Sequence, residues 1–125
     1  MLSFLELFRY WAKELLYAFY DITYKSTYTL QTPITLENIY VSEIGIKVYL
    51  NKIKFGEQRD DNLDYHLHLE STMLKMYATL LIQMLTNHDY TLTSEKKSMK
   101  MIENDLNRLE IDSELKCILY ECLHA

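Results

Sequence analysis

The sequence contains very little glycine and proline, with two glycines and one proline among 125 residues. Proteins on average hold about 7% glycine and about 5% proline. This scarcity leaves few residues for tight turns or for backbone with positive φ, which a many-stranded sheet needs at its connections. It also argues against glycine-rich phosphate-binding loops. The composition therefore predicts a mainly helical protein.

Cysteine is also scarce, since only Cys117 and Cys122 occur. Five positions apart on a helix, they point in different directions, so we expect two free thiols in a reducing compartment. The sequence has no CxxC pair and no cysteine–histidine zinc spacing, and we predict no metal and no cofactor. The N-terminus lacks a basic signal-peptide region, and charged residues interrupt the apolar stretch that follows. We therefore expect a cytoplasmic protein without a membrane span.

The chain has no strongly basic region. Its net charge is −5, and residues 57–92 hold six acidic but only two basic side chains. A general nucleic-acid binder needs a basic face, so we do not expect a nucleic-acid partner. Ten lysines against three arginines, together with eleven tyrosines, are typical of an AT-rich genome such as that of a virus or a low-GC bacterium.

The first 24 residues are dense in large apolar and aromatic side chains. Ser3 and Glu6 have the spacing of a capping box, which predicts a helix from about Ser3 to Tyr24. The apolar surface of this helix is wider than the ~100° stripe that a surface helix buries. The excess predicts that the helix is central in a bundle, pairs with its copy in a homodimer, or binds another protein.

Tryptophan and other large aromatic residues dominate the binding energy of protein interfaces. The predicted partner-binding residues on this helix are therefore Phe4, Phe8, Trp11, Leu15 and Phe19. A narrow polar stripe completes the helix and includes tyrosines that offer phenols to water or to a partner: Glu6, Arg9, Lys13, Tyr17, Tyr20 and Tyr24.

Residues 34–55 are ambiguous between helix and strand. Thr32-Pro33 is typical of a helix start, and we predict a helix over Thr35–Ser42. For residues 44–55 a helix is slightly favoured, with Gly56 as its stop. The same residues alternate between apolar and polar side chains, which indicates a small β-hairpin around 44–55 that turns at Asn51-Lys52 and returns through Ile53 and Phe55.

Three further helices are predicted in the remainder of the chain. The longest covers Leu63–Asn87 after a cap at Asp61, and it has the character of a central core helix. A helix capped by Thr93 extends to Leu109, and a last helix follows Asp112. Together with the first helix they predict one domain over residues 1–125, a compact bundle of four to five helices.

Residues 59–66 read RDDNLDYH, with six residues between Arg59 and His66. This spacing resembles the RNase motif of HEPN proteins, which are small helical toxins and effectors. The tyrosine often found two residues after the histidine is His68 here. The resemblance implies that Arg59 holds an RNA phosphate while His66 moves a proton from a 2′-hydroxyl. The alternative is that both residues have only a structural role. In that case Arg59 belongs to an acidic loop and His66 is a partly buried helix residue.

No pattern of residues specifies a catalytic triad or a metal centre. Asp64 and His68, like His66 and Glu70, lie one helical turn apart, but no third and fourth ligands are evident. We therefore favour a non-enzymatic protein-interaction module, such as a small adaptor, inhibitor or regulator. The alternatives are a HEPN-like RNase toxin that uses Arg59 and His66, and a helical sensor domain that binds a small apolar ligand among methionines and leucines.

Overall fold

Helices make up most of the chain in a computed structural model that describes residues 3–42, 47–59, 63–90 and 94–125. Four α-helices lie in this described part: α1 (Phe4–Tyr24), α2 (Leu63–Thr86), α3 (Glu95–Arg108) and α4 (Ser113–Leu123). Four short strands separate α1 from α2: β1 (Tyr28–Leu30), β2 (Ile39–Ser42), β3 (Lys47–Leu50) and β4 (Phe55–Gln58). The prediction of a mainly helical protein with four to five helices and a small β-hairpin is confirmed.

The chain divides into two compact units, Met1–Met73 and Leu74–Ala125, and the boundary falls inside α2. The first unit holds α1, all four strands and the beginning of α2. The second holds the remainder of α2 together with α3 and α4. The prediction of one domain over residues 1–125 stays a prediction.

The strands of the first unit form two antiparallel ribbons. In one, β2 pairs with β3 from Ile39 opposite Leu50 to Ser42 opposite Lys47. In the other, β1 pairs with β4, with Tyr28 opposite Gln58 and Leu30 opposite Phe55. Helix α1 packs against β3, and Val48 on that strand is buried. The β2–β3 hairpin therefore closes one side of the core that α1 fills.

The predicted helix over Thr35–Ser42 is wrong, because only Leu36–Asn38 form a single 3₁₀ turn before β2 begins. A capping box between Thr35 and Asn38 starts this turn, not Thr32-Pro33. The Asn38 side chain also donates to the backbone carbonyl of Asn51 at 3.0 Å. This long-range bond ties the turn to the residue after β3, at the point where the chain enters β2.

The slight preference for a helix over residues 44–55 is also wrong where the structure describes these residues. Residues 47–50 form β3, as the alternation indicates, while residues 44–46 lie outside the described ranges. The strand pairing also differs from the predicted hairpin. Strand β3 pairs with β2, and Phe55 belongs to β4, which pairs with β1. Gly56 lies within β4, so it is not a helix stop. A Cβ added at this position would come 3.1 Å from the Thr29 hydroxyl.

Polar caps set the beginnings of the helices. The Ser3 hydroxyl accepts from the Glu6 amide at 3.3 Å, which confirms the predicted start of α1, and Asp112 caps α4 as predicted. The cap of α3 is Ser94, which accepts from the Lys97 amide, so the predicted start was one residue early. Asp61 and Thr93 lie outside the described residues.

In the second unit, a carboxylate joins the loop after α2 to α3. Asp105 accepts from the Tyr90 hydroxyl at 2.6 Å and lies 2.8 Å from Nδ1 of His88. Although burial alone raises the pKa of Asp105, hydrogen bonds from His88 and Tyr90 and the charges of His88 and Arg108 together lower it. Burial and the bond to Asp105 raise the pKa of Tyr90 to about 12, so this phenol remains a donor.

We expect Asp105 to make the second unit sensitive to acid. Because the pKa of Asp105 is lower in the folded chain, its stabilisation is complete above its unfolded pKa of about 3.9 and is lost as the pH falls below that value. Asp105→Asn should cost about 1–2 kcal/mol at pH 7 and flatten the fall in unfolding free energy between about pH 5 and pH 3. Urea unfolding across this range checks both effects. Glu110→Gln, at an exposed carboxylate, is the control, and equal curves for the two variants would contradict the prediction.

Candidate functional site

One face of α1 belongs to the core of the first unit. Phe8, Leu15 and Phe19 are buried, with exposed fractions of 3%, 1% and 3%. Trp11 is half-buried, while Phe4 is 58% exposed. A partner would reach Phe8, Leu15 and Phe19 only if α1 left its core. The role of these five residues in partner binding stays a prediction.

The opposite face of α1 carries a row of tyrosines, which we call the tyrosine face: Tyr10, Tyr17, Tyr20 and Tyr24. Their spacings of seven, three and four residues place them on one side of a helix with 3.6 residues per turn. Each side chain is between 47% and 54% exposed. About half of each tyrosine is therefore available to a partner over the part of α1 from Tyr10 to Tyr24.

Contacts within this face hold several rings in place. The rings of Tyr20 and Tyr24 lie 4.8 Å apart, and the Lys13 ammonium lies 5.8 Å from the centre of the Tyr17 ring. Partial burial, a hydrogen bond to Glu70 and the charge of that carboxylate raise the pKa of Tyr24. This phenol stays protonated and can act as a hydrogen-bond donor at neutral pH.

The β2–β3 hairpin presents a second exposed tyrosine pair. Tyr40 and Tyr49 stand opposite each other on the two strands, with ring centres 6.4 Å apart. Their side chains are 61% and 48% exposed. This pair matches two tyrosines of α1 in residue type and exposure, which makes it a suitable control for substitutions on the tyrosine face.

Arg59 and His66, which the sequence singles out as a possible RNase pair, do lie together. Nη2 of Arg59 is 3.2 Å from Nδ1 of His66. Both residues line a polar cleft of about 180 Å³ at the end of α1, together with Tyr24, Ser26, Thr27 and Gln58. A guanidinium can only donate, so Nδ1 accepts and the proton of the neutral imidazole is on Nε2.

The Arg59 guanidinium donates hydrogen bonds to backbone carbonyls of this chain. Nη1 donates to the backbone carbonyls of Ser26 at 2.9 Å and Ile22 at 3.4 Å. The guanidinium carbon also lies 5.5 Å from the centre of the Tyr65 ring. Carbonyls at the end of a helix lack partners within the helix. Arg59 therefore satisfies carbonyls at the end of α1 and attaches that end to α2.

The described residues contain no group of three or more His, Cys, Asp or Glu side chains placed to hold a metal ion. Cys117 is exposed and Cys122 is half-buried, and both are free thiols. Burial, followed by the charge of Glu121, raises the pKa of Cys122. A raised pKa leaves less reactive thiolate at neutral pH, which disfavours Cys122 as a nucleophile.

The five residues predicted to bind a partner do not include the tyrosines of this exposed face. Tyr17, Tyr20 and Tyr24 were recognised on the polar stripe, but partner binding was assigned to the larger apolar residues of the helix. The recurrence of tyrosine at spacings of three, four and seven on one face was the available signal. In the structure, the side of α1 that carries these tyrosines is exposed and the opposite side is buried. The tyrosines therefore lie on the surface that a partner can reach.

No helix among the described residues is both long enough and apolar enough to cross a membrane. Comparison with protein-family models, with curated proteins and with solved structures finds no match to this chain.

Proposed function

We propose that this chain is a non-enzymatic protein-interaction module, a small adaptor, inhibitor or regulator that binds a protein partner through the exposed surface of α1. The observation that carries the proposal is the tyrosine face, where four half-exposed tyrosines occupy one side of a helix whose other side is anchored in a core. Tyrosine and tryptophan are enriched among the residues that dominate binding energy in protein interfaces.

The tyrosine face also has the physical properties of a binding surface. An aromatic side chain buries about 150–250 Å² in full, so four half-exposed tyrosines offer about 400 Å² to a partner. A tyrosine has few rotatable bonds, and the contact between Tyr20 and Tyr24 restricts them further, so binding costs little conformational entropy. Leu16, which is 45% exposed, adds an apolar edge.

The test compares two double variants of the tagged chain in its native host. Tyr17→Ala with Tyr20→Ala removes half of the tyrosine face, and Tyr40→Ala with Tyr49→Ala removes the matched pair on the hairpin. We expect the first variant to lose its bound protein at least about tenfold, while the hairpin variant retains it. Quantitative mass spectrometry of co-purified proteins provides the measurement, and circular dichroism verifies that both variants are folded.

Equal retention by both variants would contradict the proposal. So would a wild-type chain that binds neither another protein nor a second, untagged copy of itself above the level of the tag alone. We place the interaction in the cytoplasm, where two free thiols, one of them exposed, are stable in the reduced state.

A second candidate function is RNA cleavage by a HEPN-like pair, and the 3.2 Å contact between Arg59 and His66 in a polar cleft favours it. In this candidate, Arg59 would hold a phosphate and His66 would transfer a proton. We rank it second because Arg59 already donates to two backbone carbonyls. Cleavage of a labelled RNA by the purified chain that disappears in His66→Ala would support it, and no cleavage by the wild-type chain would contradict it. The apolar-ligand sensor stays a prediction.

A further inference from the structure

The exposed charges on α1 follow an order that distinguishes between possible partners. Glu6, Arg9, Lys13 and Asp21 are all exposed on the same side of the helix as the tyrosine face. From the beginning to the end of α1 their signs are negative, positive, positive and negative. A second α1 in parallel orientation would place each charge beside an identical one, which is unfavourable.

An antiparallel copy of α1 reverses this relation. When two helices cross near residue 15, residues whose numbers add up to about 30 lie at the same height in the two copies. Arg9 then lies level with Asp21 of the other copy, and Lys13 with the ring of Tyr17 of the other copy. Tyr10 likewise meets Tyr20 of the other copy, and each of these relations occurs twice because the arrangement is two-fold symmetric.

We propose that the protein partner of the tyrosine face is a second copy of this chain, bound with the two α1 helices antiparallel. This inference rests on the function proposed above. The Asp21–Lys25 pair at 3.2 Å does not prevent this, because both side chains are mostly exposed and a surface ion pair of this kind is weak. The carboxylate of Asp21 remains available to Arg9 of the other copy.

The area of the face sets the strength of this dimer. The four tyrosines contribute about 400 Å² per copy, and Leu16 with the stems of Arg9 and Lys13 adds about 200 Å². The sum lies below the roughly 800 Å² per partner of a standard stable interface. We therefore expect a reversible dimer with a Kd of about 1–100 μM, with aromatic contacts at its centre.

Charge exchange in the full-length chain tests the antiparallel arrangement directly. Sedimentation velocity of the wild type across about 1–200 μM should show a shift from monomer to dimer. Arg9→Asp alone and Asp21→Arg alone should each weaken the dimer about tenfold or more, because each places like charges opposite each other twice. An equimolar mixture of the two variants should restore it to within about threefold of the wild type, since both pairs then join opposite charges.

Lys100→Asp, a charge exchange at an exposed position of α3, is the control and should leave the Kd unchanged. A wild-type chain that is monomeric over the whole range would overturn the inference. A dimer that the single variants do not weaken, or that their mixture does not restore, would overturn it as well. If the dimer is absent while Tyr17→Ala with Tyr20→Ala still releases a different co-purified protein, the inference fails and the proposed function stands.

Discussion

Replacing Phe8 with alanine is expected to lower the free energy of unfolding by about 3–5 kcal/mol, while the same change at Phe4 costs about 1 kcal/mol or less. The two residues have the same side chain and lie one helical turn apart, but Phe8 is 3% exposed and Phe4 is 58% exposed. Removing the Phe8 ring loses its transfer from water and leaves a cavity. Removing Phe4 loses little beyond a ring contact at 6.5 Å.

Urea unfolding followed by circular dichroism measures both values, and each variant is the control for the other. The comparison decides whether the core that holds the first unit together includes the first turn of α1 or begins at Phe8. Similar losses at Phe8 and Phe4 would contradict the difference in burial between these two residues, which lie on the same side of α1.

Replacing Arg59 is expected to cost about 2–4 kcal/mol, because Arg59→Ala removes hydrogen bonds to Ile22, Ser26 and His66 at once. The carbonyl of Ile22 in the last turn of α1 and that of Ser26 just after it would then lose their donor. Arg59→Lys keeps the charge but lacks the planar fork that reaches three acceptors, so it should lose most of the same stability.

Thermal unfolding of the two variants beside Arg108→Ala provides the measurement. Arg108 is exposed at the end of α3, and its loss should cost about 1 kcal/mol or less. A lysine that fully replaces Arg59 would show that charge alone matters there, contrary to the role given to its hydrogen bonds. His66→Ala removes the hydrogen bond from Arg59 and should cost about 1 kcal/mol, so its effect on RNA can be measured in a folded protein.

The helices could be predicted from the sequence because their signals are local. Ser3 and Asp112 each cap a helix within three residues of themselves, and apolar residues at helical spacing follow both. Such signals depend on neighbours one turn away, so no knowledge of the fold is needed. The error at α3 was a single residue, from Thr93 to Ser94, where two adjacent hydroxyl residues both suit a cap.

The site could be predicted only in part. The spacing of Arg59 and His66 singled out two residues whose side chains do lie together, while their predicted role in RNA cleavage stays a prediction. The carbonyls of Ile22 and Ser26, which take up Arg59, lie more than thirty positions earlier in the chain, and no local pattern links them to it. The composition of α1 likewise indicated surplus aromatic surface without showing which aromatic residues face the core.

By itself, the sequence determined that this chain is mainly helical and located the four described α-helices to within one or two residues at their ends, because backbone hydrogen bonds and caps in a helix join residues that are close in the chain. Only the tertiary structure decided that Ile39–Ser42 and Lys47–Leu50 are strands, because a strand needs a neighbouring strand to pair with. These two strands pair with each other, and the Asn38–Asn51 hydrogen bond joins the residues at their ends. It also decided that Phe8 and Phe19 are buried while Tyr17 and Tyr20 remain exposed. A helix with apolar side chains around most of its circumference can turn several faces inward, and the elements that pack on it select one.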